Sequence, residues 1–272
     1  MPGCDGYVPP TSVQLLQTTQ AATARIFLNP SDVSAYIERG ASLGDSGEHE
    51  KAIEDYNRAI LLDPQNPDAY FNRAFDYEAL GNLENAFSDY KKAIQLSPDY
   101  AEAYLGLGRV LNERGLHKAA VMIYTKAIQI DGNYAEAYYD RALVYDDLGM
   151  PQLAAPDYQK AIALNPNDAC AHNNLALDQQ AMGQNQEAMQ NFNQAIALDP
   201  NLVAAYANRA DLQVSLGNAS AAIQDYTQAI LLAPRDKQLY YERAKIYLKN
   251  KNYTKALSDW ISGFFKNSSS SA

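Results

Sequence analysis

A pattern of aromatics, small residues and turn formers returns every 34 positions from Val33 almost to the C-terminus, without insertion or deletion. A chain written that way must fold as an array, because self-similarity at such a period means one supersecondary unit stacked on its own copies. Units begin at Val33, Pro67, Ala101, Ala135, Ala169, Val203 and Lys237. Position four is Tyr36, Tyr70, Tyr104, Tyr138, His172, Tyr206 and Tyr240, position eight is always Gly or Ala, and position 20 is Ala throughout, from Ala52 to Ala256. Large and small residues at offsets of four set knobs opposite gaps on one helical face.

Glycine and proline then divide each unit in two. Position 15 is Gly47, Gly81, Gly115, Gly149, Gly183 and Gly217, where a left-handed turn ends one helix and lets a second fold back. Lys251 stands there in the seventh unit, between Asn250 and Asn252, and an asparagine is expected to take that conformation at modest cost. Units close at Pro64, Pro98, Pro166, Pro200 and Pro234, with Gly132 substituting in the third. Each unit is therefore a helical hairpin ended by a stop.

In one unit the aromatic, small and closing slots are Tyr70, Ala74, Tyr77, Ala86, Tyr90 and Pro98, and this pattern resembles the tetratricopeptide repeat (TPR) family. The resemblance implies an all-α fold: a right-handed superhelical solenoid of seven tandem helix-turn-helix repeats with an N-terminal capping helix. It implies a concave groove lined mainly by the first helix of each pair, and binding in place of chemistry. The expected division is a disordered tail at 1–11, a capping helix at 12–30, repeats at 33–66, 67–100, 101–134, 135–168, 169–202, 203–236 and 237–267, and a Ser-rich tail at 268–272. Val13, Leu15, Leu16, Ala21, Ala22 and Ile26 give the capping helix, Ser12 to Leu28, its apolar positions, and Asn29-Pro30 closes it as later units close.

Charge narrows the partner. The net charge of -10 sets a phosphate backbone against the protein's own field, so nucleic acid is disfavoured. Two cysteines, Cys4 and Cys170, make no disulfide framework and have no metal-type spacing, which fits a reducing, cytoplasmic setting. No apolar run reaches the roughly 18 residues of a membrane helix. A Gly3-Cys4 pair is similar to the junction at which bacterial lipoproteins are cut and acylated, so a membrane-anchored lipoprotein is the alternative location, though no apolar segment precedes the pair.

Seven copies in one chain permit an internal comparison. Position seven is Arg39, Arg73, Arg141, Arg209 and Arg243 in five units, and Leu107 and Leu175 in the third and fifth. At position 23 the same five units carry Asp55, Asp89, Asp157, Asp225 and Asp259, and the other two carry Ile123 and Asn191. The expected cause is an Arg-carboxylate pair tying the two helices of a hairpin through the planar donor fork of arginine.

No catalytic, metal or cofactor site is expected. His49, His117 and His172 fall in different units and phases, and the acidic pairs Asp146-Asp147 and Glu136 with Asp140 have no matching nucleophile. Binding is expected in the groove. The family resemblance implies that positions 2, 5, 6, 9, 12 and 13 face inward, which selects Glu38, Asp45, Asp68, Glu78, Glu102, Glu113, Glu136, Asp140, Asp146, Asp147, Asp211 and Glu242, opposed by Arg109, Lys245 and Lys249. Twelve acids against three bases place nine of the ten excess negative charges on one face. That face is either a solvated surface or a groove for extended, basic or neutral peptide, its basic part over the first four units.

Position six adds Asn72, Asn174 and Asn208, with Asn173 adjacent, whose amides offer both donor and acceptor to a peptide backbone. The ladder is broken by Glu38, Gly106, Asp140 and Glu242. A Lys/Asn/Arg clamp for chaperone tails, another family mode, is not matched by Ile37, Phe71, Leu105 and Tyr139 at position five. These residues suit a non-enzymatic scaffold for a protein or peptide partner, or alternatively the adaptor subunit of an enzyme or envelope/secretion complex. Two irregularities remain. Pro156 should delay or kink its helix, and Leu257, Trp260, Ile261, Phe264 and Phe265 leave an uncapped apolar end suited to self-association or partner docking.

Overall fold

The computed structural model describes residues 11–265, and they form 15 helices and no strand. The Ser-rich tail expected at 268–272 and all of the tail expected at 1–11 except Thr11, Cys4 included, lie outside the described residues. Between Leu148 and Gly149 the chain divides into two compact units. The first holds α1 (Ser12–Leu28), α2 (Val33–Asp45), α3 (His49–Leu62), α4 (Pro67–Ala79), α5 (Leu83–Leu96), α6 (Ala101–Glu113), α7 (His117–Ile130) and α8 (Ala135–Asp147). The second holds α9 (Pro151–Leu164), α10 (Ala169–Ala181), α11 (Asn185–Leu198), α12 (Val203–Ser215), α13 (Ala219–Leu232), α14 (Lys237–Lys249) and α15 (Tyr253–Phe265).

In the first unit the hairpins α2/α3, α4/α5 and α6/α7 stack in order, and α2, α4, α6 and α8 also touch one another in succession. The hairpins α10/α11, α12/α13 and α14/α15 stack likewise in the second unit. One packing device recurs: Tyr56, Tyr90, Tyr124, Tyr158 and Tyr226, all at position 24, are buried to within about a hundredth of their surface. They need small residues opposite. A Cβ on Gly108 would lie 2.4 Å from the Tyr124 ring, and one on Gly40 2.6 Å from that of Tyr56. Rings this tightly enclosed fix the hairpin angle by overlap, not by directional bonds.

The hairpin turns show why position 15 is glycine. Gly81 has φ +72°, its N–H donates to the Glu78 carbonyl, and the Asn82 N–H donates to that of Tyr77, each at 2.8 Å. These bonds satisfy the last carbonyls of α4. In the seventh repeat the left-handed position is taken by Lys251 itself, φ 58°, and not by either flanking asparagine. The bonds of Lys251 to Leu248 and of Asn252 to Tyr247 fix the register, so the side chain at that place accepts the strain. Replacing Lys251 by Gly is expected to stabilise the chain by up to about 1 kcal/mol, read as a higher denaturant midpoint at unchanged slope. An unchanged or lower midpoint would show that the strain is absent.

Pro156 neither delays nor ends α9, which begins at Pro151 and runs on to Leu164. The bond that Pro156 cannot donate would go to the Gln152 carbonyl, and both residues are on the exposed side of the helix, where losing that bond costs least. At the other ends, α1 has a capping box between Thr11 and Gln14 and is fastened to α2 by the Thr19 hydroxyl, which donates to Ser42 at 2.9 Å. Leu257, Trp260, Ile261 and Phe264 of α15 are exposed.

Candidate functional site

Two kinds of polar residue line these hairpins, and the first kind builds them. In four of the six hairpins that lie wholly within a unit, Arg39, Arg73, Arg209 and Arg243 donate through Nε and Nη2 to both carboxylate oxygens of Asp55, Asp89, Asp225 and Asp259, at 2.6 to 2.9 Å. The aspartates are buried. Arg141 stands at the end of the first unit and Asp157 at the start of the second. The third nitrogen has a use that the pairing alone does not reveal. Nη1 of Arg39, Arg73, Arg141, Arg209 and Arg243 donates to Thr23, Asn57, Thr125, Asn193 and Thr227, on the helix before each arginine.

Arg73, Arg209 and Arg243 therefore fasten each hairpin to the preceding one as well as closing it, and Arg39 does the same toward the capping helix α1. The signal was in the sequence: the residue 16 places before an arginine is Thr or Asn in all five cases, while Lys91 and Gln159 precede Leu107 and Leu175. The fifth repeat replaces this node with a polar chain, in which His172 Nδ1 lies 2.8 Å from Asn191 and Asn191 donates to Gln179. The third repeat replaces it with Leu107 and Ile123, both apolar.

The second kind faces the helices that touch in succession. In the first unit these are α2, α4, α6 and α8, carrying Glu38, Asp45, Asp68, Glu78, Glu102, Glu113, Glu136, Asp140, Asp146 and Asp147. Arg109 of α6 donates through Nε to Asp140 of α8 at 2.6 Å. Burial would lower the pKa of Arg109, but the charge and hydrogen bond of Asp140, with Glu136 and Glu78 behind them, raise it. Arg109 is thus a fixed positive charge held by acids on both sides.

Glu78 lies deeper than an open groove position would place it. Its carboxylate accepts a 2.8 Å bond from the Tyr90 hydroxyl, and burial is the main cause that raises its pKa, with Tyr90 and Arg109 acting the other way. Tyr90 reaches it because Gly106 has no side chain: a Cβ there would sit 2.3 Å from the ring. The glycine that interrupts the expected asparagine ladder therefore gives the Tyr90 ring the room to reach Glu78. Phe75, one turn from both Asn72 and Glu78, is 53% exposed and adds an apolar surface that the polar inventory missed. Asn72 itself donates to the Asp68 carbonyl of its own helix.

The charge inventory from sequence needs a correction at the start of the array. Arg25 of α1 pairs with Glu38 and with Asp32, so a base on the capping helix offsets the first acid expected in the groove. Glu102, Glu113, Glu136 and Asp147 remain exposed, and Asp146 is half-buried. A further acid was missed altogether. Asp76 occupies position 10, which is Ser42 and Asp178 in the first and fifth units and Val110, Val144, Leu212 and Ile246 in the others, and its buried carboxylate lies 2.6 Å from His49 Nδ1. Burial raises its pKa, and His49 opposes the shift. An acid at a position that is apolar in four of the seven units was the available sign.

In the second unit the corresponding helices are α10, α12 and α14. Asn208 donates to Asn173 at 3.0 Å, Asn173 donates to Asn174 at 3.1 Å, and Asn174 lies 3.5 Å from the Tyr158 hydroxyl. Asn173 is buried in this chain of amides, so it braces Asn174 and Asn208. Asp211 accepts from the Tyr226 hydroxyl, and burial raises its pKa. Lys245 pairs with Glu242 at 2.7 Å, leaving this face far less acidic than its counterpart.

Among the described residues no group of three or more His, Cys, Asp or Glu could hold a metal, and no helix is long and apolar enough to cross a membrane. Family models described as TPR repeat match residues 42–81, 76–115 and 180–217, and models described as tetratricopeptide repeat match 101–134, 135–168, 157–190 and 207–272. No curated protein matches the chain in sequence. Among solved structures the chain is similar to YrrB, described as a TPR protein with an unusual peptide-binding site, at 28% identity over 69% of this chain and 96% of that one, TM-score 0.60. It is also similar to MamA, at 28% identity over 59% and 94%, TM-score 0.55. PilF of Pseudomonas aeruginosa, at 21% identity over 74% and 92% with a TM-score of 0.67, shares the fold. The repeat models together run from residue 42 to residue 272, over a helical-hairpin array with the family's packing, and the chain belongs to the tetratricopeptide repeat family.

Proposed function

We propose that this protein-protein interaction scaffold holds an extended peptide, basic or neutral, along α2, α4, α6 and α8. One observation carries the reading: ten acids lie on α2, α4, α6 and α8 of the first unit, where Arg25 meets Glu38 and Arg109 meets Asp140. Acids scattered for solubility have no reason to gather where helices approach one another and desolvation is costly. Asn72, Arg109 and Phe75 supply what a peptide also needs, which is an amide, a fixed charge and an apolar contact. On the second unit Asn174, Asn208 and Asp211, with Asn173 bracing the two amides, are proposed as a further backbone-recognising patch. YrrB, of the same fold, is described as a peptide binder, which supports the assignment by analogy.

Anisotropy of a fluorescein-labelled peptide of repeated Lys-Thr-Asn-Gly tests this directly. Saturable binding should weaken about tenfold between about 50 and about 300 mM salt. Acidification should weaken it earlier than exposed carboxylates would require, because burial raises the Glu78 pKa and the protonated acid no longer attracts a cation. Salt-independent binding, or none, would overturn the reading.

The exposed apolar face of α15 favours a second association. Self-association through Leu257, Trp260, Ile261 and Phe264 is expected to disappear in Phe264→Glu and Trp260→Glu, measured by size exclusion. A wild-type chain that elutes as a monomer removes this reading and leaves the groove untouched.

A further inference from the structure

We propose that the outer side of the second and third repeats, between α5 and α7, is a docking site for an acidic amphipathic helix of a partner protein. The site exists because the third repeat lacks the arginine node. Where Arg39, Arg73 and Arg209 lie 5.7 to 5.8 Å from the rings of Tyr36, Tyr70 and Tyr206, the residue at the same position beside Tyr104 is Leu107, which brings no charge to the ring. Leu107, Leu111 and Ile123 form an apolar floor, and Phe87, Ile94 and Met122 rise around it to enclose a groove of about 410 Å³. Met122 is 73% exposed, a large cost for a side chain with no polar atom to hydrate. The fifth repeat shows that losing the arginine does not by itself open such a groove, since it fills the place with His172 and Asn191.

Charge selects the occupant. The helix α7 carries Lys118 and Lys126 and no acid, whereas every other helix at the second place of a repeat carries at least one. Lys118, Met122 and Lys126 stand four residues apart, so the two ammonium groups flank the exposed methionine on one helix face. Across the groove Lys91 lines the opposite wall, its Nζ 5.2 Å from the Phe87 ring, and takes the place where Asn or Thr accepts from an arginine in other repeats. The nearby acid Glu84 is paired with Arg114 at 3.2 Å, and Asp89 with Arg73. An apolar floor rimmed by lysines, on a chain of net charge -10, fits a helix with Leu, Met or Phe at i, i+3, i+4 and i+7 and Glu or Asp along its edges. A second copy of this chain fits less well, because the exposed face of α15 brings Lys255 and no acid besides Asp259, which Arg243 holds.

The probe is a fluorescein-labelled, end-capped peptide of about 16 residues, with Leu on one helical face and Glu and Ala elsewhere. Titrated against the full chain, it should bind saturably, and a matched peptide with Lys for every Glu should bind at least tenfold more weakly. The double variant Leu107→Arg with Ile123→Asp rebuilds the pair that four other hairpins hold, so it should stay folded by circular dichroism while losing binding at least tenfold. Met122→Glu and Lys118→Glu, both at exposed positions, should do the same without touching the core. The proposal is overturned by equal affinity for the two peptides, by unchanged affinity in Met122→Glu and Lys118→Glu, or by absence of saturable binding. Sedimentation that shows a wild-type oligomer dissociated by Met122→Glu would overturn it too, by making a second copy the occupant.

Discussion

Arg73→Ala is expected to destabilise the chain by about 3 kcal/mol, because it leaves the buried carboxylate of Asp89 without its charge partner and Asn57 without its donor. The double replacement Arg73→Leu with Asp89→Ile should cost less than the single one. Nature has made that replacement in the third repeat, where Leu107 and Ile123 occupy the same two positions inside an intact hairpin. A double-mutant cycle by chemical denaturation should therefore return a coupling of at least about 1.5 kcal/mol between Arg73 and Asp89. If both single variants and the double variant differ from wild type only by additive, small amounts, the node is surface decoration of the ordinary salt-bridge kind.

Neutralising Glu78, Glu102, Asp140 and Asp146 together should weaken binding of the Lys-Thr-Asn-Gly peptide at least tenfold and flatten its salt dependence. The four residues do not contribute alike. Glu102 is exposed and acts through its charge alone. Asp140 holds Arg109, so Asp140→Asn also frees a guanidinium to repel a basic ligand, and its share of the loss should be the largest. Glu78→Gln keeps an acceptor for the Tyr90 hydroxyl and so should leave the fold in place. Unchanged circular dichroism and thermal transition in the variant separate lost recognition from lost structure. Full affinity in the variant would count against the groove.

Most of the fold was legible because punctuation and packing repeat. Glycine at position 15 and alanine at position 20 are read from spacing alone, and the turns at Gly81 and Gly115 have the left-handed geometry their chemistry requires. Lys251 shows the limit: register is set by the whole array, so a residue of the wrong chemistry adopts the conformation its neighbours would take more cheaply. The covariation of positions seven and 23 pointed to the arginine pairs, but it named one partner where the fork serves two. The matching change 16 places earlier was equally visible and went unread.

Less of the candidate site was legible, for reasons that lie in three dimensions. Arg25 of the capping helix stands where the repeats have alanine, from Ala59 to Ala229, so no copy elsewhere in the chain repeats its contact with Glu38. The bond between Tyr90 and Glu78 depends on the absence of a side chain at Gly106, one repeat further on. Asn173 reads as a groove residue by position and is buried by its bonds to Asn174 and Asn208. Charge by position gives the sign of a surface; pairing and burial decide how much of it reaches a ligand.

The central claim is that a basic extended peptide lies along the first helices of the first unit, and photo-crosslinking tests it most directly. A Lys-Thr-Asn-Gly peptide carrying a diazirine at its centre, irradiated in complex with the full chain and mapped by mass spectrometry, should label α4, α6 and α8, with adducts near Phe75, Glu102 and Asp140. Labelling confined to the second helices, α3, α5 and α7, would place the peptide on the opposite side of the hairpins and contradict the account.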